Sequence, residues 1–461
     1  MTNDKPDDTP PPQAAEQTGT RIEFPSTPIS TGMNRPGRSD SNPKQGARLR
    51  QAERSQIEWG RIDLNALVPE DHPARAIWAV IGKLDLSSLY ADIRARNEVA
   101  GAPAIDPRLL LALWVFATSE GEGSAREIWR LTELHAAYRW LCGGVKVGYH
   151  TLSDFRSQNA ETLNRLITQV LGLLMKQNLV ELSRVAQDGT RVRASAGASS
   201  FRKPQTLQEL MEEARKHLAE VTAESADNAV TATRAAARKR GAEDRMKRIE
   251  AALAEVPELE ETKKRSGAKD ATPRVSTTDP EARVMKMGDG GFRPAFNVQF
   301  ATTADKARVI VGVDVINRGS DANQTTPMLD EIEKRTGVRP KEMLADGGYA
   351  QHEAIDEAQK TGTTMYAPVP KPRKGAPADQ DPHAPKDGDS CAVAAWRERM
   401  GGDDAKAIYK ERAATAETVN ADAKAHRGLD RLRVRGRKKV LGCAYLFALT
   451  YNVLRYITLG G

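Results

Sequence analysis

The chain has 461 residues, enough for two or three domains. It carries 69 Lys and Arg against 62 Asp and Glu, a net charge of +7, which suits contact with a polyanion without requiring it. Its three cysteines, Cys142, Cys391 and Cys443, are widely spaced and form no CxxC pair, which excludes a disulfide framework and a cysteine-rich zinc site and fits a reducing compartment.

Residues 1–55 are rich in Pro, Ser, Thr, Asn and charge, with too little apolar surface to offset chain entropy, and are expected to be a disordered tail. Residues 1–50 hold no apolar segment of signal-peptide type. From 56 to 180 the pattern is helical, and an all-α DNA-binding domain is expected there. Asp71-His72-Pro73 and Asp106-Pro107 each carry an acid and a Pro where a helix would start, and apolar residues follow at helical spacing. Two further helices are expected at 124–134 and 153–175. Their turn-proximal Ser, Thr and Arg residues resemble those of helix-turn-helix DNA binders, although an ordinary capped bundle has the same pattern.

Residues 183–194 alternate apolar and polar and predict a strand. Residues 205–268 are rich in Ala, Glu, Lys and Arg and predict an exposed helical insertion, set within about 201–275. Residues 294–301 and 307–316 predict an antiparallel hairpin. A helix at 323–336, a strand at 341–346, a helix at 352–360 and a strand at 363–369 follow. An irregular loop spans about 370–395, then come helices at 403–427 and 440–459. The apolar run 441–454 falls short of the roughly twenty residues that a membrane span needs, so it predicts a buried helix. Without the insertion, the order is strand, hairpin, helix, strand, helix, strand, helix, helix. This is an α/β pattern with a mixed sheet, the order of a ribonuclease-H-like fold, over 181–461.

Two acids close predicted strands and precede glycine: Asp188 in Gln187-Asp188-Gly189 and Asp346 in Ala345-Asp346-Gly347-Gly348. Glycine lets a ligand approach the backbone closely. If their strands are parallel neighbours, both acids project at one sheet edge, where α/β folds bind ligands. A third acid, Glu417, lies on the helix expected at 403–427, in Tyr409-Lys410-Glu411-Arg412 through Lys424. At about 100° per residue, Lys424 falls roughly 20° around the helix from Glu417, Tyr409 roughly 80° away, and the four residues span an arc of about 140°. Spacing alone does not select Glu417 from its acidic neighbours. Three dispersed carboxylates are what a two-metal phosphodiester site requires, and they should raise at least one carboxyl pKa. The run 427–439 holds Arg427, Arg431, Arg433, Arg435, Arg437, Lys438 and Lys439 against one acid, Asp430, and suits phosphate contact. Asp314 is expected to be a salt-bridged structural acid and Asp289 a turn residue. His72, His150 and His352 share no metal-ligand spacing and are expected to cap helices or fill the core.

The run Tyr409, Arg412, Glu417 and Lys424 resembles the Tyr-x2-Arg-x3/4-Glu-x6-Lys signature of bacterial insertion-sequence transposases of the DDE superfamily, with four residues between Arg and Glu. Similar flanks are Gln187–Ala194, Thr278–Arg283, Phe292–Gln299, Ala345–Tyr349 and Tyr451–Leu454. In the N-terminal half they are Pro69–His72, Asp106–Arg108 and Tyr149–Arg156. The resemblance covers about 55–200 and 275–461. It implies a DNA transposase that binds element ends and carries out metal-dependent cleavage and strand transfer of cut-and-paste type. Asp188, Asp346 and Glu417 would hold two Mg2+ ions, with Mn2+ a possible substitute. Tyr409, Arg412 and Lys424 would contact DNA near the metals, and the basic run would bind further along it. A homodimer on terminal inverted repeats and target DNA, in the cytoplasm at the nucleoid and away from membranes, is the implied setting. A catalytically inactive DNA-binding relative and a structure-specific nuclease on the same fold remain alternatives.

Overall fold

A computed structural model of the chain describes residues 63–91, 93, 103–223, 229–267, 272–371 and 381–460. The expected tail at 1–55 and the middle of the expected loop at 370–395 lie outside the described residues.

The N-terminal region is helical: α1 (Pro73–Ile81), α2 (Ser87–Ala91), α3 (Pro107–Ser119), α4 (Ala125–Leu134), α5 (Ala136–Cys142), α6 (Tyr149–Gln158) and α7 (Ala160–Lys176). The start signals work locally. Asp106 Oδ1 accepts from the Arg108 amide at 2.8 Å, satisfying one of the free N–H groups at the start of α3. At α1 the cap is His72 rather than Asp71, and its Nδ1 accepts from the Ala74 amide. The helix expected at 153–175 is two helices. The break is at Asn159, whose side chain turns back to donate to the Phe155 carbonyl, as short polar side chains do when they compete with helix bonding.

The sheet follows with β1 (Arg184–Arg193), β4 (Arg283–Lys286), β5 (Phe292–Thr303), β6 (Ile310–Ile316), β7 (Glu342–Leu344) and β8 (Thr364–Tyr366), while β2 (Phe201–Arg202) and β3 (Val275–Ser276) form a separate small pair. The order across the main sheet is β6, β5, β1, β7, β8, with β4 extending the β6 side of β5. The first three strands are antiparallel; β7 and β8 run parallel to β1. This is the mixed, ribonuclease-H-like sheet that the element order predicts. Between β2 and β3 rises the insertion: α8 (Pro204–Ala223), α9 (Ala229–Ala254) and α10 (Val256–Arg265). Its helices bury Leu207, Met211, Ala214, Ile249 and Ala252 in small clusters separate from the main core.

Then come α11 (Thr325–Thr336), α12 (His352–Lys360), α13 (Cys391–Gly401), α14 (Asp403–Arg412), α15 (Thr418–Ala425) and α16 (Arg437–Thr458). The sequence reading has no counterpart to α13. The longer α16 lies within the protein, packed on α3, α6, α7 and β6. Its buried Asn452 donates to the Ile310 carbonyl and accepts from the Ile310 amide, both at 2.8 Å, so an amide side chain closes off the start of β6. Asp279 and Glu281 accept from the Gly436 and Arg437 amides, which places two acids at the positive N-terminus of α16.

Candidate active site

Asp188 does not end its strand, as the reading from alternation has it. It is the fifth residue of ten in β1, paired with Phe300 of β5. What ends beside it is β7. The parallel register runs Arg184–Glu342, Val185–Met343, Ala186–Leu344 and stops. Two more residues along that register, Asp188 is level with Asp346, at the point where β1 outruns its short neighbour. Asp346 caps a 3-10 turn, its Oδ1 accepting from the Gly348 amide at 2.7 Å.

The third acid comes from the helix layer. Arg184, at the start of β1, pairs with Glu342 at 2.5 Å and with Glu411 at 2.7 Å, tying α14 to two strands. Between α14 and α15 the backbone is not α-helical: Ala413–Glu417 form a π-helix. A π turn repeats at i to i+5, so Arg412 and Glu417, five apart, come to one face. Arg412 Nη1 lies 3.4 Å from Glu417 Oε1 and Nη2 lies 2.9 Å from Asp188 Oδ1. An ideal α-helix sets them well apart, so the expected wide arc is corrected here: one guanidinium links two of the three acids.

Further groups were not read from the sequence. Asn420, one turn beyond Glu417, donates its Nδ2 to Asp188 Oδ2 at 2.9 Å, and its Oδ1 is buried with no protein partner. Asp321, in the loop after β6, sits by Gly189 and Gly348. Asn420 was discoverable as the i+3 neighbour of Glu417. Asp321 gave no signal beyond a polar turn.

Burial pushes the Asp188 carboxyl above its ordinary pKa; Arg412 pulls it back, and Asp346 adds to the rise. Burial opposes the charge of Arg412, yet Asp188 foremost among its neighbours holds it above its usual value. Burial raises the Tyr409 phenol, with Arg412 acting against the rise. Lys424 is depressed by burial and then by Arg191, while Asp188 and Asp430 act the other way. Glu417 is the exposed member, its side chain 60% accessible against 17% for Asp188.

Among the described residues, no group of three acid, histidine or cysteine side chains is close enough to hold a metal ion. Arg412 is the cation in contact with Asp188 and Glu417 instead. The donor chemistry does fit a hard divalent ion: carboxylate oxygens, those of Asp188 half-buried, and the unpartnered Asn420 carbonyl, able to accept from a bound water.

The basic run forms a strap along the end of β1. The Arg193 amide donates to the Asp430 carbonyl, the Leu432 amide donates to the Arg193 carbonyl, and the Arg193 side chain pairs with Asp430. Leu432 and Val434 are buried while Arg431, Arg433 and Arg435 alternate outward, exposed, as is Arg437. Arg427 is instead engaged, pairing with Asp422 and donating to the Ser119 carbonyl. A polar cleft runs between this strap and Gly121 and Gly123. Of the competing residues, Asp289 is a turn residue, accepting from the Gly291 amide and pairing with Arg293. Asp314 is a correction: among the described residues it has no salt bridge, and it accepts from the Val315 amide. His150 stacks on Tyr149.

Two family models match the chain. The Transposase domain (DUF772) matches residues 62–158, and the Transposase DDE domain matches residues 261–453. The chain belongs to the DDE transposases of insertion sequences. Together the two matches span more than half of this transposase, and they set its work as DNA transposition with the nuclease activity that this implies. The DDE match includes Asp346 and Glu417. Asp188 lies between the two matched segments, and its link to the other acids rests on sheet register and on the contacts of Arg412 and Asn420. Comparison with curated proteins and with solved structures gave no match.

Proposed function

We propose that this transposase binds the ends of its element as a homodimer and cuts and joins DNA by a cut-and-paste route, with Asp188, Asp346 and Glu417 as its catalytic acids. The register of β1 against β7, which brings Asp188 level with Asp346, supports this reading most directly. Two Mg2+ ions, or Mn2+ in their place, would be held by Asp188 with Asp346 and Glu417 and would supply charge neutralisation at the phosphate and an acidified attacking hydroxyl. Asn420 fixes the rotation of the Asp188 carboxylate by its 2.9 Å bond. Arg412 turns from the carboxylates to a DNA phosphate, for which its planar fork is suited. Tyr409 on α14 and Lys424 on α15 flank it. Arg431, Arg433, Arg435 and Arg437 carry the duplex onward, positioning the backbone without reading bases.

The test is Asp188→Ala, Asp346→Ala and Glu417→Ala, each assayed for Mg2+-dependent nicking and strand joining on a duplex carrying an element end. Each is expected to lose both reactions and keep DNA binding in a gel-shift assay. Near-normal nicking by any one variant removes that acid from the site. Nicking without joining by the wild type favours a structure-specific nuclease. End binding without nicking favours an inactive relative.

A further inference from the structure

We propose that Asp321 is a positioning residue that braces Asp188 and Asp346 together from behind the sheet. Its Oδ1 accepts from Asn297 Nδ2 and from Gln299 Nε2, both at 2.7 Å. Gln299 Oε1 in turn accepts from the Tyr349 hydroxyl at 2.5 Å. Asn297, Gln299 and Tyr349 are all but fully buried. Bonds of this kind, in a low-dielectric setting, specify a single arrangement strongly.

The network touches the chain right after each acid. Gly189 follows Asp188, and a Cβ there would lie 2.3 Å from Gln299 Nε2, 2.4 Å from Asp321 Oδ1 and 2.7 Å from Asn297 Oδ1. The backbone next to Asp188 therefore rests directly on the brace. On the other side, Gly348 and Tyr349 follow Asp346. A Cβ on Gly348 would lie 4.0 Å from the Asp321 Cβ, and Tyr349 closes the chain of bonds. A second tie joins the same two loops: the Asn323 amide donates to Gln351 Oε1 at 3.0 Å, and Gln351 Nε2 donates to the Gly348 carbonyl at 2.7 Å. Burial foremost, then the charge of Asp321, holds the Tyr349 phenol protonated and so available as a donor. One carboxylate oxygen thus links both acid-bearing segments, whose own pairing stops at Leu344.

The inference rests on reading Asp188 and Asp346 as metal ligands, and its test separates the two. Mn2+ alone is titrated calorimetrically into the full-length chain. Asp321→Ala is expected to weaken Mn2+ binding at least tenfold with DNA binding unchanged. Asp321→Asn, which keeps an oxygen for the same two donors, is expected to stay within threefold of the wild type. Wild-type affinity in Asp321→Ala overturns the brace. So does an equal loss in Asp321→Asn, because the charge itself would then be at work. Should Asp321→Ala not fold, Tyr349→Phe is expected to weaken binding several-fold, and unchanged affinity overturns the proposal. Mn2+ binding that survives Asp188→Ala and Asp346→Ala instead removes the reading on which it rests.

Discussion

Replacing Arg412 with Gln should make the DNA-free protein bind Mn2+ more tightly. Arg412 reaches Asp188 at 2.9 Å and Glu417 at 3.4 Å, with its side chain only 11% exposed. A charge-assisted bond of the first kind is worth about 1.5–3 kcal/mol. The second, to a mostly exposed carboxylate, is worth about 0–1 kcal/mol. An entering cation has to break both contacts, so their loss in the variant returns about 2 kcal/mol to binding. At about 1.4 kcal/mol per factor of ten, the Mn2+ affinity should rise about 10- to 100-fold. The assay is calorimetric titration of Mn2+ with and without a duplex carrying an element end. In the wild type, DNA phosphates should draw Arg412 away, so DNA should tighten Mn2+ binding, and by linkage Mn2+ should tighten DNA binding equally. In Arg412→Gln this mutual effect should largely vanish. Unchanged or weaker Mn2+ binding by the variant, without DNA, refutes the competition.

Gly189→Ala should destabilise the fold by about 1–3 kcal/mol, as overpacking does, because its Cβ would meet three polar atoms within 2.7 Å; an unchanged melting temperature would show that the network yields freely. Asp279→Ala should lower stability by about 1–2 kcal/mol through loss of the acceptor at the α16 N-terminus. Burial raises the Asp279 pKa, so ionising it costs stability as pH rises above 3.8. Asp279→Asn should therefore match or exceed the wild type at neutral pH and lose that advantage below 3.8, as thermal melts across pH can check. Replacing Arg433 and Arg435 by Ala should lower the slope of log affinity against log salt by about 2; an unchanged slope places the duplex elsewhere.

The strands β1, β5, β6, β7 and β8 were legible because alternation or a short apolar run between turn residues marks them, whereas β2, β3 and β4, two to four residues each, are too short to show a period. Asp188 and Asp346 stood out because each sits between apolar strand residues and glycine. Their mutual placement was not legible, because parallel register depends on packing between segments more than 150 positions apart. The geometry of Arg412 escaped because periodicity assumes 3.6 residues per turn, and nothing in Ala413-Ala414-Thr415-Ala416 announces another repeat. Asp321 was hidden in Gly319-Ser320-Asp321-Ala322-Asn323, where composition signals only a turn. The missing helix α13 follows a Pro- and Gly-rich stretch, and its N-cap Ser390, which accepts from the Val393 amide, looks in sequence like one more polar residue of that stretch.

The π turn has a consequence for how such a site can vary. A π turn holds one residue more than an α turn, so it can absorb an extra residue within a run of helix. Removing Ala414 would let the segment relax to α geometry, with Arg412 four positions from the glutamate and Tyr409 and Lys424 still anchored by their own turns. Three residues between Arg and Glu would need only α geometry here, whereas the four in this chain are spanned by the π turn. In this chain, the extra residue sets the guanidinium of Arg412 against Glu417 rather than on the far side of the helix.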